Sequence, residues 1–278
     1  MKDGVYGMLP REKMIPEARL LRDTYAITPN APIVHREFGY YCLEEWHEQG
    51  LDPKADLAEL FGYNKSGSHP LQNLGWCEAA FVPDFEVKLI EDRGDTEIEQ
   101  DHAGRHVLYF KGRRNGFMPE YTAHPVTDMQ SWQEKVKWRL NPDSPERLAK
   151  IEASLSAAVA AAHSGLMISQ RVIGGYMYLR SLIGPLELLY KFFDEPELIH
   201  DCMKTWLKLA DAVCEIHQKQ VTIDEIFLAE DICFNSGPLI SPDMMKEFLL
   251  PYYQQLISNI KSRQLDKKRH LYVQIDTD

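Results

Sequence analysis

Two adjacent carboxylates, Glu230 and Asp231, are the residues of this sequence best placed to do chemistry. They follow a mostly apolar run at 224–229, which predicts a buried strand. In an α/β barrel, residues just past the carboxyl end of a strand face the mouth in which active sites form. Adjacent carboxylates there can act as acid and base or orient a cationic substrate. We predict that both are catalytic; the alternative is that one caps the next segment and the other is solvated.

A second set of residues is predicted to bind substrate, because each lies near the end of a predicted strand or in the loop beyond one. The set comprises His35, Arg36, Tyr178, Arg180 and Asn235. Alternation along a strand predicted at 32–38 points only one of His35 and Arg36 inward, and a surface role is the alternative. Arg180 can bind a carboxylate through two parallel hydrogen bonds, or it can pair with an acid such as Glu187.

A weaker candidate site for a metal lies at Asp276 and Asp278, after the last predicted strand at 270–275. An Asp-x-Asp pair can ligate a hard cation through its oxygens, and the alternative is a polar chain end. The five cysteines are scattered without a C-x-x-C pair, which indicates free thiols in a reducing compartment. Phosphate-loop, dinucleotide, zincin and hydrolase motifs are absent from the sequence, which disfavours those classes.

Composition narrows the class of protein further. The chain has 278 residues, of which 44% are apolar and 26% charged, as in an ordinary globular protein. Its formal net charge of −11 disfavours binding to nucleic acid or to an anionic membrane surface. The sequence has neither an apolar window long enough to span a bilayer nor a secretory apolar region. We predict a cytoplasmic protein with a small-molecule substrate, and the composition is compatible with a homodimer.

The elements that must position these residues are those of an α/β fold. From residue 143 onward, strands at 166–173, 224–229 and 270–275 alternate with long helices, which predicts parallel crossovers. Before them, apolar and polar residues alternate within 80–118, which predicts an antiparallel meander inserted in the larger fold. We predict one domain over 1–278, a (β/α)8 barrel. Its last strands are expected beyond Asp278, because only five or six α/β units can be counted.

Two stretches of the sequence resemble the uroporphyrinogen decarboxylase superfamily. The first reads LIGPLELLY at 182–190 followed by DEPELI at 194–199. The second combines Glu230 and Asp231 with GPLISP at 237–242 and FLLPYY at 248–253. The resemblance implies a (β/α)8 barrel with its pocket at the carboxyl mouth. It also implies one of two activities: decarboxylation of a porphyrinogen without a cofactor, or methyl transfer between a substrate, a corrinoid protein and a thiol, usually with zinc.

Departures from the family pattern favour the methyl-transfer branch. Residues 1–40 lack the arginine-rich motif of the decarboxylases, and no aspartate stands near Gly75 and Trp76, where their catalytic aspartate aligns. The segment 274–278 also lacks the His-x-Cys of the zinc methyltransferases, so the thiolate ligands of zinc are missing from this chain. We predict a methyltransferase that acts on a small methylated substrate with a corrinoid partner. The alternatives are a uroporphyrinogen decarboxylase and an inactive barrel that binds a small molecule.

Overall fold

The structure, a computed structural model, contains a parallel sheet surrounded by helices and a separate antiparallel meander. It describes residues 13–37, 40, 42–112 and 119–277. In chain order the strands are β1 Ser68–Pro70, β2 Lys88–Asp92, β3 Thr96–Gln100, β4 His106–Phe110, β5 Glu120–Ala123, β6 Met167–Ile173, β7 Glu225–Ala229, β8 Cys233–Phe234, β9 Gly237–Pro238 and β10 Tyr272–Asp276. The α-helices are α1 Pro16–Tyr25, α2 Leu43–Glu48, α3 Leu57–Phe61, α4 Met129–Ser131, α5 Pro145–His163, α6 Gly175–Ile183, α7 Pro185–Asp194, α8 Pro196–Gln218, α9 Pro242–Met244 and α10 Leu250–Arg263.

The central sheet has the strand order β1-β6-β7-β10, and all its neighbouring strands are parallel. Helices connect β6 to β7 and β7 to β10, so the predicted alternation of strands and helices is confirmed. Sequential order is what a (β/α)8 barrel requires. The described strands form an open sheet, and closure into a barrel therefore stays a prediction.

The two faces of this sheet have different environments. On the outer face, apolar residues such as Val172 and Ile226 join the main core with α5, α8 and α10. On the inner face, Met167 packs against Ala18 and Leu21 of α1. Because strand side chains alternate, each strand sends every second residue to the inner face, where Ser169 aligns with Glu225 and Arg171 with Phe227.

The predicted meander within 80–118 is present as the antiparallel sheet β2-β3-β4-β5. It extends further than the sequence pattern indicates, because β5 at Glu120–Ala123 pairs with β4. The sequence analysis also missed β1, which is only three residues long.

Two predicted elements differ from the structure. The strand expected at 32–38 is absent from residues 32–37, the part of this range that the structure describes. The backbone of His35 bonds there to Asn64 and not to a neighbouring strand. Its N–H donates to the side-chain oxygen of Asn64, and its carbonyl accepts the backbone N–H of Asn64, each at 2.8 Å. The sequence also predicts one helix over 178–193, where the structure has the two helices α6 and α7, because Gly184 has a φ of 102° and Pro185 begins a new helix. Within the described ranges, no helix is long and apolar enough to cross a membrane.

Candidate functional site

Glu230 closes the N-terminus of α6 from the loop that follows β7. Its carboxylate accepts the backbone N–H of Tyr176 at 3.1 Å and that of Met177 at 3.0 Å. These are donors that the first turn of a helix cannot satisfy by itself, and the positive end of the helix dipole favours an acidic group there. The approach requires Gly174, since a Cβ at that position would lie 2.2 Å from Cδ of Glu230.

Tyr253 of α10 completes this junction. Its hydroxyl donates to Glu230 and accepts the N–H of Gly175 at 2.6 Å. Glu230 is only 5% exposed, and this burial raises the pKa of its carboxyl group, although the hydrogen bonds from Tyr253 and the backbone oppose the shift. Glu230 therefore ties β7, α6 and α10 together, which is the capping role that the sequence left open for one of the two acids.

Asp231 forms an ion pair with Arg180 of α6. Oδ2 of Asp231 lies 2.5 Å from Nη1 of Arg180, and the two side chains are 26% and 29% exposed. The sequence suggested Glu187 as the partner if Arg180 were structural, whereas the structure selects Asp231. The pair is the part of the predicted acidic site that solvent and small molecules can reach.

The loop after β1 brings Cys77 and Glu78 to the same carboxyl edge of the sheet. Glu78 accepts from Nη2 of Arg105 at 2.7 Å, and Arg105 also bonds to Asp101 through Nε at 2.8 Å. The guanidinium of Arg105 lies 4.4 Å from the ring centre of Tyr121, so the meander supplies one wall of this region. Burial and Glu78 raise the pKa of Cys77, which keeps it a thiol.

Tyr176 lies at the centre of this edge and is fully buried. Its hydroxyl has no hydrogen-bond partner among the described residues. Burial raises the pKa of Tyr176, Arg180 lowers it, and Asp231 raises it. We define the carboxyl-edge cluster as Cys77, Glu78, Arg105, Tyr176, Arg180 and Asp231.

His124, in the loop after β5, borders the cluster. A Cβ on Gly184 would lie 2.8 Å from its Nδ1, so the glycine makes room for the ring. Burial, and secondarily Arg105, lowers the pKa of His124 to about 4. The imidazole is therefore neutral at neutral pH and can accept or donate a hydrogen bond.

A cavity of about 670 Å³ lies on the inner face of the sheet. Its wall includes Arg171 of β6 together with Glu225 and Phe227 of β7. Trp76 stacks on Phe227 with ring centres 5.7 Å apart, and the guanidinium of Arg171 lies 4.6 Å from the Trp76 ring and 5.4 Å from the Phe227 ring. Burial and the charge of Arg36 lower the pKa of Arg171.

A polar network connects the far side of this cavity to the sheet. The hydroxyl of Tyr25 donates to Oε1 of Glu225 at 2.9 Å, and Nη2 of Arg36 donates to the hydroxyl of Tyr25 at 2.9 Å. Burial and Glu225 raise the pKa of Tyr25. Arg36 also donates to the side chain of Gln274 at 3.3 Å. The N-terminal segments are thereby fixed against β7 and β10.

The residues predicted to bind substrate are distributed over different environments. Arg36 lines the cavity while His35 is exposed, which agrees with the expectation that only one of them points inward. Asn235 is exposed in the turn between β8 and β9, where its side-chain oxygen accepts from Ser236 at 3.2 Å. Glu230 and Asp231 are at the carboxyl edge and are not part of the cavity wall.

Tyr178 requires a correction, because its side chain is buried and directed away from the carboxyl edge. It is 1% exposed, and its hydroxyl donates to the carbonyl of Cys202 in α8 at 3.3 Å. Residues four apart share a face of a helix, so Tyr176 lies on the side of Arg180 and Tyr178 does not. The phenol at the edge is Tyr176, which the sequence analysis missed.

The candidate metal pair is only partly described. Asp276 is half-buried at the end of β10, and its carbonyl accepts the N–H of Glu230 at 2.8 Å, whereas Asp278 lies outside the described residues. No group of three or more His, Cys, Asp or Glu side chains able to hold a metal ion is found in the part of the chain that the structure describes. The residues described therefore do not fit a zinc centre.

No family model matches this sequence, and no curated protein matches it. Among solved structures, the chain is similar to a methyltransferase from Methanosarcina mazei. The two are 15% identical and superimpose with a TM-score of 0.47, over 93% of this chain and 69% of that chain. This likeness concerns the course of the backbone, and neither activity nor substrate follows from it.

Proposed function

We propose that this chain is a methyltransferase that takes a methyl group from a small substrate and passes it to a reduced corrinoid carried by a partner protein. The resemblance of segment 174–251 to the uroporphyrinogen decarboxylase superfamily, together with the departures of residues 1–40 from the decarboxylase pattern, supports the reaction class. The position of the carboxyl-edge cluster, beyond the carboxyl ends of parallel strands, supports the location of the site.

Both arginines of the carboxyl-edge cluster are paired with carboxylates, and this pairing is the observation that favours a small substrate over a porphyrinogen. Arg180 is paired with Asp231, and Arg105 with Glu78 and Asp101. A porphyrinogen carries many carboxylates, and its binding and decarboxylation would need uncompensated positive groups around it. A charge-compensated edge instead suits a small substrate with little net charge, which favours methyl transfer over the alternative of porphyrinogen decarboxylation.

The chemistry assigns separate tasks to the residues of the cluster. When the methyl group transfers, the reduced corrinoid acts as the nucleophile and bonds to the methyl carbon while the bond between this carbon and the donor heteroatom breaks. The heteroatom keeps the electron pair of the broken bond and takes a proton from solvent, which reaches the partly exposed Asp231–Arg180 pair. We assign orientation of the donor's polar group to the Asp231–Arg180 pair. Tyr176 is fully buried and does not touch the substrate; its hydroxyl, uncommitted among the described residues, lies within the electrostatic reach of Arg180 and Asp231 and acts as a positioning group. Glu230 is a positioning residue, because it holds the start of α6.

The described residues do not assemble the ligands of a zinc centre, so no step is assigned to a metal. The corrinoid is a substrate in this scheme and requires no resident cofactor site. Asp276 remains a candidate oxygen ligand only in combination with groups outside the described ranges.

The test measures transfer from a panel of small methylated amines, ethers, thioethers and carboxylates to reduced corrinoid. We expect at least one donor to be demethylated, and we expect Asp231→Asn to lower kcat by about 100-fold, the loss typical when a substrate is misplaced by about 1 Å. The matched control is Asp243→Asn, since Asp243 forms an exposed ion pair with Lys246. Absence of transfer over the whole panel would count against the proposal, as would equal rates for the two variants.

A further inference from the structure

Among the arginines of the described ranges, Arg171 is the one whose guanidinium donates to no oxygen of a described residue, and Glu225 acts on it only through its charge. Within residues 13–37, 40, 42–112 and 119–277, the other arginines donate to a carboxylate, a carbonyl, a phenol or an amide oxygen, as Arg147 does to the carbonyl of Ala80 at 2.8 Å. Arg171 has only the two aromatic rings of Trp76 and Phe227 against its face.

The surroundings of Arg171 make this arrangement suited to a ligand. Arg171 is half-buried at the wall of the 670 Å³ cavity, where polar donors ordinarily have an acceptor. Stacking occupies the flat face of a guanidinium and leaves its in-plane N–H groups available. The rings of Trp76 and Phe227 thus hold the guanidinium of Arg171 in place, and no oxygen of a described residue accepts from its N–H groups.

The charges around the cavity indicate which acceptor fits. The planar donor edge of a guanidinium matches a carboxylate through two parallel hydrogen bonds. The cavity wall also contains three acids, Glu17, Glu37 and Glu225, and two further bases, Arg36 and Lys65. With Arg171 included, the acidic and basic side chains of the wall are equal in number, so the wall has no excess of positive charge. A dianion such as phosphate would be repelled by these acids more strongly than a single carboxylate.

We propose that Arg171 binds the carboxylate of a small monocarboxylate in this cavity, held in place by Trp76 and Phe227. The assignment of this monocarboxylate as the substrate of methyl transfer rests on the proposed function. The binding itself does not, and it is tested without turnover.

The first experiment measures binding of benzoate, acetate, benzamide and inorganic phosphate by titration calorimetry. We expect benzoate to bind about tenfold or more tightly than the neutral amide, since a hydrogen bond to a charged group is worth at least that ratio. Phosphate should bind more weakly than benzoate. Arg171→Met should lose the advantage of the carboxylate, and Arg171→Lys, which keeps the charge but not the planar edge, should retain part of it.

Arg139→Met is the matched control. Arg139 is also stacked on two rings, 4.0 Å from Phe85 and 4.4 Å from Trp138, but its Nη1 donates to the carbonyls of Pro83 and Asp84. It is not part of the cavity wall. The control variant should therefore bind benzoate as the unmodified protein does.

A second measurement uses the unmodified protein and does not depend on the folding of a variant. Phenylglyoxal, which modifies accessible arginines, is applied with and without benzoate, and the labelled peptides are identified by mass spectrometry. We expect benzoate to protect Arg171 and benzamide to leave it reactive, with Arg139 unaffected by either.

Three results would overturn the assignment: equal affinities for benzoate and benzamide, unchanged benzoate binding by folded Arg171→Met, or failure of benzoate to protect Arg171. Benzoate binding that depends on Arg171, without methyl transfer to any acceptor, would refute the proposed function and leave the carboxylate site intact. Methyl transfer that is insensitive to Arg171→Met would refute the assignment of the monocarboxylate as the methyl donor, while the benzoate titration alone decides whether the carboxylate site exists.

Discussion

Replacement of Glu230 by glutamine tests whether this acid is the structural junction described above. The carboxylate accepts two backbone N–H groups of α6 and the hydroxyl of Tyr253 in a nearly water-free environment. Glutamine keeps the shape but turns one acceptor oxygen into an NH2 group that faces donors. Losing a helix cap costs about 1 kcal/mol, and leaving a buried donor unsatisfied costs about 1–3 kcal/mol. We expect the free energy of unfolding to fall by about 2–4 kcal/mol.

The assay is equilibrium unfolding in urea, which gives the midpoint and the slope for each variant. Glu247→Gln is the control, because Glu247 is exposed near the start of α10 and should change stability by less than about 0.5 kcal/mol. Tyr253→Phe should also destabilise, since it removes the donor to Glu230 and the acceptor for Gly175. If Glu230→Gln unfolds at the same urea concentration as Glu247→Gln, the reasoning about the junction is wrong.

The ionisation of Glu230 adds a dependence on pH with a definite sign. Burial raises its pKa in the folded protein, so between the unfolded and the folded pKa the folded state binds more protons. The contribution of Glu230 to stability is then fully present below the unfolded value of about 4.3 and is lost as pH rises through the folded pKa. The difference between the urea midpoints of the unmodified protein and Glu230→Gln should shrink over that window.

Two further predictions concern buried side chains in which one polar atom has no hydrogen-bond partner among the described residues, the hydroxyl of Tyr176 and Nε2 of His217. Tyr176→Phe should leave the free energy of unfolding unchanged or raise it by up to about 1 kcal/mol, because the hydroxyl has no partner among the described residues. The same variant should lower the rate of methyl transfer. A loss of more than about 1 kcal/mol in urea unfolding would contradict the prediction, since it would mean that the hydroxyl makes a hydrogen bond. His217 is fully buried, its Nδ1 lies 2.8 Å from Oε1 of Gln170, and burial lowers its pKa to about 4. The unfolded chain binds a proton at His217 more readily than the folded protein does. The contribution of His217 to the free energy of unfolding is therefore fully present above about pH 6.5 and should fall by roughly 3 kcal/mol as pH drops towards 4. His217→Gln should remove this dependence on pH, whereas the control His163→Gln at the exposed end of α5 should keep it.

The larger elements of the fold could be predicted because local signals and packing agree. Residue Ser144 followed by Pro145 predicts the start of α5, and in the structure its hydroxyl accepts the N–H of Arg147 at 3.4 Å. The apolar spacing of α8 and the run at 224–229 similarly match a buried helix and a buried strand. Short or irregular elements carry no comparable signal, and so β1 and β5 were missed.

The candidate site was harder to predict, because its members are joined by contacts between distant segments. Arg180 and Asp231 are 51 positions apart, and nothing local indicates that they pair. Arg171 did carry a signal, since a charged residue in a strand that ends in apolar residues on both sides must face either solvent or a cavity. The contact between the ring of Trp76 and this guanidinium joins residues 95 positions apart, and no local pattern indicates it.

The two proposals place opposite ends of one small substrate at a separation that the strands determine. Arg171 precedes Ile173, the last residue of β6, by two positions, and a strand advances about 3.3 Å per residue. The backbone of Arg171 therefore lies about 7 Å before the carboxyl end of β6. A carboxylate held at Arg171 can direct a methylated group several bonds away towards the carboxyl edge, whereas acetate is too short to reach it. The same spacing predicts that substrate length, and not only charge, controls transfer.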